Sequence, residues 1–79
     1  MTNEQKYYTL IDELRAVENA NGGIYLTDEN VDLENVSPDL EYHSAAWWAN
    51  LYHCAVCAAG MRAEDAGKDI NKLVGRIIY

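Results

Sequence analysis

A chain of 79 residues makes one domain, 1–79, able to bury only about 60 to 65% of its unfolded surface, which leaves little room for an enclosed catalytic cavity. An apolar fraction of 49%, with one proline and five glycines, excludes general disorder and a collagen-like or loop-dominated chain. The formal charge of -7 repels nucleic acid and anionic membrane and attracts a basic protein surface.

That charge is concentrated. No Lys or Arg occurs between Arg15 and Arg62, and the interval holds Glu18, Asp28, Glu29, Asp32, Glu34, Asp39 and Glu41. In the flanks, acids and bases cancel, so the field belongs to the middle of the chain.

The first helix is expected over 3–20, where Tyr7, Leu10, Ile11, Leu14 and Val17 form one apolar stripe. Thr2 or Asn3 caps it, Glu4 suits the positive end of its dipole, and Asn21-Gly22-Gly23 ends it. Met1 to Lys6 has no basic region leading into an apolar run, so no secretory or transit leader is expected. Ile24-Tyr25-Leu26 is β-prone and reads as a strand or an extended link. Residues 27–36 read as an irregular acidic loop pinned by Val31, Leu33 and Val36, or as a single helical turn capped by Thr27.

Ser37-Pro38-Asp39 has the form of a helix start: a capping hydroxyl, a proline at the first position and an acid near the dipole. A helix over 38–59 follows, ended by Gly60. At 100° per residue, Ala45, Trp47, Trp48, Ala49, Leu51, Tyr52, Val56 and Ala59 share an apolar arc. His43, Asn50, His53, Cys54 and Cys57 share an uncharged second arc. Residues 42–61 carry no charged side chain, the length of a membrane span. They contain only Leu51 and Val56 as branched aliphatics, so a core helix is the better reading. A third helix over 63–77 places Ala66, Ile70, Leu73, Val74 and Ile77 inward and Lys68, Lys72 and Arg76 outward. Its end, 76–79, is alternatively a strand paired with 24–26. The expected fold is therefore all-α: a three-helix domain with an acidic connection between helices 1 and 2.

No constellation points to catalysis or to a cofactor. Cys54 and Cys57 have the spacing of a redox dithiol, but late in a helix, where the dipole opposes the thiolate. Two cysteines are too few for a disulfide scaffold, which points to a reducing, cytoplasmic setting. His53, Cys54 and Cys57 fall short of four zinc ligands, and His43 lies roughly 15 Å away along the same helix. Asp28 and Glu29 have nothing around them that predicts a pocket. Gly22-Gly23 lacks the lysine of a phosphate loop, and basic patches with interleaved aromatics are absent.

Recognition remains. The chain has six Tyr and two Trp but no Phe, rings that serve cores and interfaces alike. Trp47 and Trp48 diverge on a helix, so either both pack inward or one stays exposed as an anchor beside the acids. The partner-binding candidates are accordingly Asp28, Glu29, Asp32, Glu34, Asp39, Glu41, Trp47 and Trp48. In its shortness, its acids from Asp28 to Glu41 and its lack of a catalytic motif, the chain resembles small acidic phage-encoded inhibitors of the anti-CRISPR and DNA-mimic kind. The resemblance implies a non-enzymatic inhibitor that occupies a basic, nucleic-acid-binding surface of a partner protein. Those proteins share no signature, so no site is carried over. The alternative is an assembly protein or homodimer that uses the uncharged face around Asn50, Cys54 and Cys57.

Overall fold

The computed structural model describes residues 1–75. Among these the fold is all-α, with four helices where the sequence suggests three: α1 (Asn3–Ala20), α2 (Glu29–Asn35), α3 (Ala45–Asp65) and α4 (Ile70–Val74). The proposed pairing of 24–26 with 76–79, and the placement of Arg76 and Ile77, lie outside the described residues.

Helix α1 has the expected bounds. Thr2 caps it through a capping box, its hydroxyl accepting from the Gln5 amide while the Gln5 side chain accepts from the Thr2 amide. Tyr7, Leu10, Ile11 and Leu14 are buried along one face. The chain then turns at Gly22 and Gly23, with φ of 76° and 83°, values that favour glycine. Ile24 to Asp28 is an extended link with no strand, and Leu26 within it is completely buried.

The acidic connection contains a seven-residue helix, α2, rather than an irregular loop. Its cap is Asp28 and not Thr27: the Asp28 carboxylate accepts from the Val31 amide at 3.2 Å. The Thr27 hydroxyl instead donates to Glu18 at 2.9 Å.

The central helix is displaced from its expected bounds at both ends. Ser37-Pro38-Asp39 forms only turns, and α3 begins seven residues later, capped by Ser44, whose hydroxyl accepts from the Trp47 amide at 3.1 Å. The reason lies in the Ser37 amide, which donates to the Asn50 side chain at 2.9 Å. A continuous helix from 38 would hold those residues roughly 20 Å apart, so the 36–44 segment must fold back along α3. His43, at φ 65°, makes the reversal. At the other end α3 runs through Gly60 to Asp65, and the chain breaks at Gly67, φ 73°. The expected third helix is thus divided between the end of α3 and the short α4, which Asp69 caps by accepting from the Asn71 amide.

The core lies between α1 and α3. Trp47, Trp48, Leu51, Ala55, Val56, Ala59 and Ala63 meet Tyr7, Leu10, Ile11 and Leu14, with Leu26 from the link. Ala55 and Ala59 let backbones approach closely, whereas Ala45, Ala49 and Ala66, expected inward, are exposed. Ile70, Leu73 and Val74 cover the core edge as half-buried side chains. None of the described helices is long and apolar enough to cross a membrane.

Candidate functional site

The six acids expected at the binding surface divide into two sets. Three serve the fold. Asp28 caps α2 and accepts a 2.5 Å hydrogen bond from the Tyr25 hydroxyl; that bond, then the Val31 amide, holds its carboxyl below the usual range. The same bond raises the Tyr25 phenol. Glu29 pairs with Arg15 through its Oε1. Asp32 is only 1% exposed, and its Oδ1 has no hydrogen-bond partner. Burial pushes the Asp32 carboxyl up, against the nearby Arg62 charge and with the help of Asp28 and Glu29. Asp32 is therefore corrected from a surface contact to a buried group.

The bases that border the acidic interval fold onto it. Arg15 reaches Glu29, and Arg62 donates to the Leu26 carbonyl at 3.0 Å while its guanidinium stands 4.8 Å from the Tyr25 ring centre. What remains as an outward field is Glu34, Asp39 and Glu41, all exposed and engaged by no described basic side chain.

One acid outside the expected set has a defined structural role. The Glu18 carboxylate accepts from the Leu26 amide at 2.7 Å, the Thr27 amide at 3.1 Å and the Thr27 hydroxyl at 2.9 Å. Burial works to raise its pKa, but these three bonds outweigh it and hold the carboxyl low.

Neither tryptophan stands out as an exposed anchor: Trp47 is 7% and Trp48 9% exposed. They cross edge to face, 4.9 Å between centres and 89° between planes. The accessible rings are others. His43 stacks on Tyr42 at 3.7 Å and on Trp48 at 5.1 Å, with interplanar angles of 23° and 21°, so the imidazole is packed against both rings. Tyr42 is 72% exposed and meets Trp47 edge-on at 5.1 Å. Tyr8 packs against Trp48 at 5.8 Å from the α1 side. These rings, with Glu29 and Leu33, line a cavity of about 160 Å³. Tyr8, Leu33, Tyr42 and His43 are the residues that sequence reasoning missed. The available signal was the density of rings around 42–48, but helical projection from residue 38 set His43 on the opposite arc from Trp47 and Trp48.

The uncharged face of α3 is partly consumed, because Asn50 holds the Ser37 amide and Cys54 is half-buried. Neither Cys54 nor Cys57 is in a disulfide, and burial, followed by Asp32 and Cys57, pushes the Cys54 thiol up. Cys57 Sγ lies 3.5 Å from His53 Nε2. Among the described residues no group of three or more His, Cys, Asp or Glu side chains is placed to hold a metal ion.

Comparison with protein-family models, curated proteins and solved structures returned no match.

Proposed function

We propose that this chain is a non-enzymatic acidic binding protein that docks on a basic surface of a partner protein. A surface that otherwise holds nucleic acid fits best, because its Lys and Arg side chains are arranged for phosphates and would accept carboxylates in their place. In that setting the chain acts as an inhibitor, the role implied by its resemblance to acidic phage-encoded inhibitors. The observation that carries the reading is the set Glu34, Asp39 and Glu41: exposed, without a basic counterpart among the described residues, and with Glu34 and Glu41 next in sequence to the accessible Leu33 and Tyr42. A polar charged rim around aromatic contact area is the usual anatomy of a protein interface.

The test is affinity capture from the native host with tagged wild type and with the triple variant Glu34→Gln, Asp39→Asn, Glu41→Gln, at low and high salt. The wild type is expected to retain a basic protein at low salt and release it at high salt, and the variant to lose it at both. Recovery of the same partner by both proteins, with the same salt dependence, would show that these acids are not the recognition surface. A homodimer whose mass is unchanged by salt would favour assembly through the uncharged α3 face instead.

A further inference from the structure

The cavity at the junction of α1, α2 and the 42–48 turn has the makings of a cation site. Its walls are the rings of Tyr8, Tyr42, His43, Trp47 and Trp48, and its one acidic lining residue is Glu29. Aromatic faces carry negative charge density and attract a cation that has shed its water. A volume of about 160 Å³ matches a guest of about benzene size, the occupant that an apolar cavity of roughly 150 Å³ accepts.

We propose that this cavity receives the guanidinium of an arginine side chain on the partner. The inference rests on the reading above, that the partner presents a basic surface. Guanidinium is favoured over ammonium by three observations. Tyr42 is 72% exposed with the His43 imidazole stacked on one face, and a flat, weakly hydrated cation stacks on an open aromatic face better than a compact ammonium does. Glu29 already holds a guanidinium, that of Arg15, through Oε1, while no described donor reaches Oε2. The chain also solves the same problem internally, setting Arg62 over the Tyr25 ring beside Asp28. Arg15 is thus an internal competitor for the Glu29 carboxylate, and the overall charge of -7 raises the local concentration of a cationic partner.

The experiment titrates ¹⁵N-labelled protein with N-acetyl-arginine amide, its lysine counterpart and its citrulline counterpart, the last being a neutral planar isostere. The side-chain N–H signals of Trp47 and Trp48 report occupancy. The arginine amide is expected to shift both signals saturably, the citrulline amide to bind at least about tenfold more weakly, and the lysine amide to fall between them. Tyr42→Leu, at an exposed position that leaves the core intact, should weaken arginine binding about threefold or more. Glu29→Gln should weaken it further, and Arg15→Gln should strengthen it by freeing the carboxylate. Equal binding of the arginine and citrulline amides, no saturable shift with any of them, or an affinity indifferent to Tyr42→Leu would overturn the proposal. Glu34, Asp39 and Glu41 do not line the cavity. Salt-sensitive capture of a partner through those acids, with no arginine effect, would therefore remove this inference and leave the proposed function standing.

Discussion

Asp32 is a carboxylate held where its charge is disfavoured. Its side chain is buried on α2, which packs on α3, Oδ1 lacks a donor, and Arg62 opposes the burial without forming a hydrogen bond to it. Its influence reaches Tyr7, whose buried phenol is pushed up first by desolvation and then by the Asp32 charge. The folded pKa of Asp32 lies above its unfolded value, so folding takes up protons at this site. The stability it supports is complete below about pH 3.9, the ordinary aspartate value, and declines as the pH rises through the folded pKa. Asp32→Asn removes that decline. Urea midpoints measured from pH 4 to pH 7 should therefore shift in favour of the variant, relative to wild type, as the pH rises; a difference independent of pH would show that Asp32 does not titrate differently on folding.

Among the helices, α3 shows most clearly how a local signal yields to a tertiary one. Ser37 and Ser44 both have capping side chains, but only Ser44 heads a helix of more than a turn. The Ser37 hydroxyl makes a long 3.4 Å contact with the Asp39 amide. Ser44→Ala should cost about 1 kcal/mol, while Ser37→Ala should stay within about 0.5 kcal/mol; equal losses in chemical denaturation would contradict the assigned start. Gly60 supplies a second test on the same helix. It sits in the helix interior with no need for a positive φ, and a Cβ there would meet Ile70 Cγ2 at 3.9 Å, an ordinary contact. Gly60→Ala should stabilise the protein by about 0.5 to 1 kcal/mol, read as a higher thermal midpoint. A lower midpoint would mean that α4 packs more tightly on Gly60 than the 3.9 Å contact indicates.

For the whole molecule, charge and packing are separable. The exposed carboxylates Glu34, Asp39 and Glu41 add to a net charge of -7 and are paired by no described base, so they contribute self-repulsion rather than cohesion. The triple variant Glu34→Gln, Asp39→Asn, Glu41→Gln should consequently have a thermal midpoint equal to or above that of wild type at low salt, and the gap should shrink as salt is added. A midpoint well below wild type would assign these acids a role in the fold and would disqualify the variant as a test of binding.

The helical class, the bounds of α1, its four buried core positions and the acidity of the middle segment were legible in the sequence, because each depends on residues within a few positions of one another. Period 3.6, a capping threonine and paired glycines specify a helix wherever it packs. The remainder depended on contacts between residues distant in sequence. Asp28, Glu29 and Asp32 read as surface charge until Tyr25, Arg15 and the packing of α2 on α3 assign them to the fold. Trp47 and Trp48 were legible as large rings on the central helix, but Trp48 packs against Tyr7 and Tyr8 from α1, and Trp47 against Tyr42 and His43 from the turn before α3. The aromatic cavity was least legible of all. It exists because the Ser37 amide bonds Asn50 and His43 takes a left-handed conformation, folding Tyr42 back over the start of α3. Local propensity favours Ser37-Pro38 as a helix start, yet burying two indoles against α1 and satisfying a backbone amide 13 residues from its acceptor outweigh that preference.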